Sequence, residues 1–233
     1  MASPWLLSEL SGTVAALHGP LPEMPETPGT TGAVFVMRPD AGAVVLGSAQ
    51  RETVLAESVL HGTPGVCRRH SGGGLVVIEP GACCWVDVLV PTDHELHRDD
   101  VHLAFDWLGD TWVRALTSLR AATGSNDASS IRAHIGRGER PDAGRIVCFA
   151  GLGRGEVVVG GRKLVGISQR RTRRGSRFQC VVYSRFDVAS HLALLRSPTD
   201  RSVVEAPLRD LVATCGDLDA LVAAFCSALP PRT

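Results

Sequence analysis

Two adjacent glycines, Gly160 and Gly161, separate the extended segments Glu156-Val157-Val158-Val159 and Lys163-Leu164-Val165-Gly166-Ile167-Ser168. A two-residue hairpin turn needs positive φ at its centre, and glycine adopts it without steric cost. The pair therefore commits this stretch to an antiparallel hairpin. Along the rest of the chain, strand signals cluster and helical patterns stand apart in blocks. That arrangement predicts an α+β fold, a mixed and largely antiparallel sheet packed by helices, rather than a repeating βαβ wind.

Apolar residues at 6, 7, 10, 14 and 17 recur at helical spacing and predict a helix over 5–17. Four prolines make 18–32 a connector. Segments 34–37 and 43–46 read as strands joined by the turn Pro39-Asp40-Ala41-Gly42, and a short helix fills 52–60. Further strands are predicted at 66–69, 75–78, 85–90 and 178–183. Residues 102–119 carry the best helical pattern. Residues 123–144 read as a loop with a short element inside, 146–149 as extended, and 188–229 as mostly helical. The chain, 1–233, is expected to form one domain. It has an N-terminal helix and connector over 1–32, a core over 33–187 and a helical part over 188–233.

Composition narrows the function. Lysine plus arginine and aspartate plus glutamate balance at 24 each, so no global field argues for nucleic acid or an anionic membrane as partner. Seven cysteines, at 67, 83, 84, 148, 180, 215 and 226, include no CxxC. An odd count without paired spacing suits a reducing cytoplasm. No apolar stretch is long enough to span a bilayer. His94-Glu95-Leu96-His97 lacks the HExxH spacing of a zinc site and reads as a solvated approach to a helix, so no metal site is predicted.

Of the 24 basic residues other than histidine, Lys163 is the sole lysine. Arginine is a planar fork that stays charged, whereas lysine is a compact point charge on a flexible stem. Lys163 stands before the apolar run Leu164-Val165-Gly166-Ile167, where a cation needs a reason. Arg68-Arg69-His70-Ser71-Gly72-Gly73-Gly74 is the strongest local signal. Three glycines without Cβ let a ligand approach the backbone, and their amides with two flanking arginines suit an anion.

These segments resemble a family. RRHSGGG is similar to the RRxSGGG signature of lipoate-protein ligases and the related octanoyl and lipoyl transferases. Gly161-Arg162-Lys163-Leu164-Val165-Gly166-Ile167-Ser168-Gln169 resembles that family's GRKxxGxxQ segment. Ala43-Val44-Val45-Leu46-Gly47-Ser48-Ala49-Gln50 resembles its VVIGxxQ strand and turn. The resemblance implies the catalytic fold shared with biotin ligases, and attachment of an octanoyl or lipoyl group to a lysine of an acceptor lipoyl domain. It implies that Lys163 contacts the activated carboxyl group. It also implies that Arg69, Ser71, Gly72, Gly73, Gly74 and Gly166 border the acyl or acyl-adenylate pocket. An eight-carbon tail contributes roughly 5 kcal/mol at roughly 0.8 kcal/mol per buried CH₂, with Leu75, Val77, Val165 and Ile167 as candidate walls.

Cys148 separates two chemistries. In one transferase subfamily a cysteine in a CF pair precedes GRK, and Cys148-Phe149 resembles that arrangement. Cys148 is then the nucleophile, the acyl donor is a carrier-protein thioester, and no cofactor is needed. In the alternative, an ATP-dependent ligase, ATP and Mg²⁺ convert lipoate or octanoate to an adenylate and Cys148 is structural. Two departures from the family, Phe178-Gln179-Cys180 where His-Gly is common and Ala82 where Asn is common, leave a third reading, a non-catalytic binder. Arg170, Arg171, Arg173 and Arg174 crowd one stretch with Arg177. They are read as an exposed hairpin tip or as a dock for an acidic partner such as a lipoyl domain or an acyl carrier protein.

Overall fold

The computed structural model describes residues 5–20, 32–62, 64–123 and 130–231. Among them the first hairpin expectation holds. Strands β8 (Val157–Val159) and β9 (Arg162–Thr172) pair antiparallel across Gly160 and Gly161, whose φ values are 58° and 79°. Strand β9 continues into β10 (Gly175–Tyr183) through a second hairpin, and β10 lies against β6 (Cys83–Pro91). With β1 (Leu6–Gly12), β2 (Ala33–Pro39) and β7 (Ile131–Ala133) these form a seven-stranded sheet in the order β1-β2-β6-β10-β9-β8-β7. Only the β1–β2 pair is parallel. A second, three-stranded sheet holds β4 (Gly65–Arg68), β3 (Ala43–Leu46) and β5 (Val76–Ile78) in that order. The turn after β2 thus carries the chain from one sheet to the other, and α2 (Glu57–Leu60) lies between β3 and β4.

Two apolar cores flank the main sheet. One contains Val34, Val86, Leu108, Trp112, Phe178 and Phe225, and joins the sheet to α3 (Asp106–Ala122) and α7 (Leu218–Ala228). Trp112 and Phe225 stack at 4.1 Å between ring centroids, which fixes α7 on α3. The other core contains Phe35, Val45, Leu75, Trp85, Phe149 and Tyr183, and joins the main sheet to the small one and to α4 (Pro141–Ile146) and α6 (Pro198–Leu211). The C-terminal block is helical as expected, with α5 (Val188–Ala193) capped by Asp187 and α7 capped by Asp217.

Three expectations are corrected. The predicted N-terminal helix is a strand, β1, followed by the single turn α1 (Val14–Leu17). Its apolar spacing fits a helix, but pairing of Leu6–Gly12 with Ala33–Pro39 satisfies the backbone along the sheet edge, and the Thr13 hydroxyl then caps α1. Residues 146–149 are not extended throughout. Pro141 opens α4, only Val147 is extended, and Cys148–Ala150 form a 3₁₀ turn. His94 to His97 lie in turns rather than at a helix start. Most of the connector over 18–32 lies outside the described residues. No helix among the described residues is long and apolar enough to cross a membrane.

Candidate active site

The β8–β9 hairpin carries Lys163 into the protein, where it is 3% exposed. Its Nζ lies 2.7 Å from Glu156 Oε2 and donates to the carbonyls of Cys148 at 3.0 Å and Gly151 at 3.1 Å. An ammonium has three N–H groups, so these three acceptors use all of them. Cys148 Sγ is 3.9 Å away, and the Phe149 ring centroid is 4.8 Å away. Glu156 is equally enclosed. Its Oε1 accepts from the Ile167 amide at 3.0 Å and its Oε2 from the Gly153 amide at 2.6 Å. Two buried ions persist only with such a close partner and satisfied remaining lone pairs.

Cys148 is held by close backbone contact. Its amide donates to Leu75 O at 2.9 Å, Leu75 N donates to Ile146 O at 2.9 Å, and Gly74 N donates to Gly144 O at 3.0 Å. A Cβ on Gly74 would fall 2.5 Å from Gly144 O and 2.8 Å from Cys148 N, which no side chain can accommodate. Gly166 serves the same turn from below. A Cβ there would lie 2.9 Å from the Phe149 ring and 3.4 Å from Lys163 Cε.

The Arg68-Arg69 pair is turned onto backbone. Buried Arg69 donates through Nη2 to Gly72 O at 2.8 Å and Gly74 O at 2.7 Å, bracing the glycine run from within. Burial pulls its guanidinium below the ordinary arginine range, with Cys148 and Tyr183 acting in the other direction. Arg68 Nη1 donates to Gly47 O at 3.0 Å. Gln50, from the third motif, accepts from Gly47 N and donates to Arg145 O and Ile146 O. It thereby ties the small sheet to the end of α4, just before Cys148.

A cleft opens between the two sheets. Val45, Val76 and Ile78 line it from the small sheet, and Trp85, Gly166, Ile167, Ser168, Gln179 and Val181 from the main one. His18, Arg69, Cys148 and Phe149 complete it. Of the four candidate walls, Ile167 borders the cleft. Leu75 and Val165 are fully enclosed in the cores, and Val76 and Ile78 replace Val77 because alternate residues of a strand face opposite sides. Cys148 is the only cysteine lining the cleft. Burial pushes the thiols of the other six up, so they are poor nucleophiles.

One wall is polar. Ser71 Oγ lies 3.0 Å from Ser168 Oγ and donates to Gln179 Oε1 at 3.1 Å. Gln179, at the position where the family commonly has His-Gly, sits 3.1 Å from His18 Nδ1. Behind it, fully buried Asp87 accepts from Trp85 Nε1 at 2.6 Å and pairs with Arg177, whose other nitrogens donate to Leu17 O and Gly19 O. Burial pushes Asp87 up to about 6 against the pull of Arg177. Burial, then Arg177 and Arg69, pull His18 down to about 3.

The arginine-rich stretch divides. Arg171 donates to Asp99 O at 2.6 Å and Arg177 is the partner of buried Asp87, while Arg173 and Arg174 stand exposed at the β9–β10 turn and Arg170 is half-buried. Sequence reasoning missed Glu156, His18, Asp87 and Arg177 as parts of the site. A signal existed for Glu156: it is the one acidic residue of the hairpin segment that carries the one lysine. His18 and Asp87 carried none.

The sheet order, the cleft and the buried lysine define an α+β domain with a cleft between its two sheets. The fold is similar to that of solved lipoate-protein ligases. One is the bipartite lipoate protein ligase of Thermoplasma acidophilum, from a study of that enzyme and its E2 lipoyl domain, with a TM-score of 0.68, 15% identity, and coverage of 96% of this chain and 81% of that one. A lipoate-protein ligase A bound with ATP gives a TM-score of 0.57 and 16% identity over 98% and 86% of the two chains. P. falciparum LipL1 in complex with lipoate gives 0.58 and 10% identity over 96% and 61%. No protein of curated function matches the chain. The profile described as lipoyl protein ligase A/B catalytic domain matches residues 26–223. The chain therefore belongs to that family, as an enzyme of the lipoate-protein ligase or octanoyl/lipoyl acyltransferase class.

Proposed function

We propose that the protein attaches an octanoyl or lipoyl group to a lysine of a lipoyl-domain acceptor, by acyl transfer through Cys148. The observation that carries this reading is the position of Cys148. Its thiol borders the apolar cleft, and an ammonium stands 3.9 Å from the sulfur. The acyl tail occupies the cleft between Val76, Ile78, Trp85 and Val181. The Cys148 thiolate attacks the donor thioester carbonyl, a C–S bond forms, and the donor thiolate leaves. The acceptor lysine then attacks the new thioester, the amide forms, and the nitrogen's proton goes with the departing Cys148 thiolate. The Lys163 ammonium, 3.9 Å from the sulfur, stabilises the negative charge that develops at the reacting carbonyl. Loss of one such contact costs about 10²–10³ in rate.

The competing route is ATP-dependent ligation through an adenylate, with Lys163 on the activated carboxyl group. Its support is the likeness of fold to a lipoate-protein ligase A bound with ATP. Incubation with an isolated lipoyl domain separates the two, given either octanoyl carrier protein or lipoate with ATP and Mg²⁺. Acceptor mass should rise in the first mixture. A rise only with ATP would discard the cysteine route, and no rise in either would favour a non-catalytic binder. The exposed Arg173 and Arg174, with Arg170 behind them, form the surface on which the acidic acceptor or carrier docks.

A further inference from the structure

We propose that Glu156 guards the acyl intermediate: it holds Lys163 as an ammonium, so that acyl groups on Cys148 pass to the acceptor protein and not to Lys163. The inference rests on the Cys148 thioester reading and adds a hazard that reading creates. Lys163 Nζ is 3.9 Å from Cys148 Sγ. The carbonyl carbon of a thioester is bonded to that sulfur, so it comes within reach of Nζ at the roughly 3–3.5 Å of a near-attack geometry. An amine lone pair there would attack the carbonyl. The N–C bond would form, the C–S bond would break, and Cys148 would leave as thiolate and take up the proton that nitrogen sheds. The amide product would be stable, and the only lysine of the chain would be consumed.

Three acceptors keep the nitrogen from turning a lone pair toward the thioester. The Glu156 carboxylate lies 2.7 Å from Nζ, and the carbonyls of Cys148 and Gly151 lie at 3.0 and 3.1 Å. All three partners only accept, so all three require an N–H. A neutral amine has two, and its lone pair would face an acceptor. Glu156 is itself held in place by the amides of Ile167 and Gly153, which donate to its two carboxyl oxygens. With the two side chains only 3% and 4% exposed, water does not take its place.

The test uses the full-length protein and an octanoyl thioester of a small thiol, without acceptor. After denaturation, hydroxylamine removes thioesters and leaves amides, and intact mass reads both. Wild type should carry only a hydroxylamine-labile adduct. Glu156→Gln should accumulate a resistant adduct that maps to Lys163 and is lost in Glu156→Gln/Cys148→Ala. Glu156→Asp, with a shorter reach but the charge retained, should show the same adduct forming more slowly, and it serves if the amide variant does not fold. A labile adduct in wild type with no resistant adduct in either variant overturns the guard role and leaves Cys148 intact. No adduct in wild type overturns both.

Discussion

Gly47 lies directly against Gly73: a Cβ on Gly47 would fall 1.9 Å from the Gly73 carbonyl oxygen. The turn after β3 and the glycine run after β4 are therefore packed backbone to backbone. Gly47→Ala meets main chain rather than a flexible side chain, so the glycine run must move. We expect about 1–3 kcal/mol of lost stability and a raised KM for the acyl donor. Chemical denaturation and steady-state kinetics check both.

Lys163→Met removes the partner of a buried carboxylate. Leaving Glu156 unpaired should cost about 3–5 kcal/mol. Lys163→Met/Glu156→Gln removes the stranded charge and keeps an acceptor for the Ile167 amide, so it should recover part of that stability and none of the activity. Lys163→Arg keeps the charge but places a planar fork among acceptors arranged around a point charge. It should fold and lose most of its turnover. Urea titrations beside acceptor-acylation assays separate these outcomes.

The arginines of the β9–β10 region should behave as two groups. Arg177→Ala strands fully buried Asp87, with an expected loss of about 3–5 kcal/mol. Arg173→Ala/Arg174→Ala, at exposed positions, should change stability by less than about 0.5 kcal/mol. That double variant should raise the KM for the protein acceptor while kcat stays unchanged. An unchanged KM would sink the docking surface.

Stability should depend on pH through two opposed groups. Asp87 is pushed up to about 6, so between about 4 and 6 the folded chain keeps a proton that the unfolded chain has released. Its contribution is therefore lost as pH rises through that window. His18 is pulled down to about 3, so between about 6.5 and 3 the unfolded chain binds a proton that the folded one refuses. Its contribution is lost as pH falls. Each slope is at most about 1.4 kcal/mol per pH unit, and the two oppose each other between about 4 and 6. In His18→Phe the second slope is gone. Stability relative to wild type should climb steadily as pH is lowered from 6.5, as read by melting temperature across a pH series.

The hairpins, the best helix and the three glycine-bearing motifs were legible because each is signalled locally, by period or by a residue that alone tolerates its backbone. The convergence of Gly47, Gly73, Gly74 and Cys148 depends on contacts between two sheets, and only the likeness to a family brought them together in advance. His18 could not be found from the chain. Its partner Gln179 is 161 residues away, and the histidine sits in what reads as a connector. The N-terminal strand was misread because its apolar spacing suits a helix, and the β2 edge that claims it is remote in sequence. The alternation along β5 decided which valines face the cleft, and that required knowing where the second sheet lay.

Rapid quenching of the wild-type protein with octanoyl carrier protein shows directly whether Cys148 carries the acyl group. A hydroxylamine-labile octanoyl adduct, mapped to Cys148, should form before the acceptor is modified and disappear when lipoyl domain is added. Acceptor modified at full rate by Cys148→Ala, or an adduct on any other cysteine, would contradict that role for Cys148.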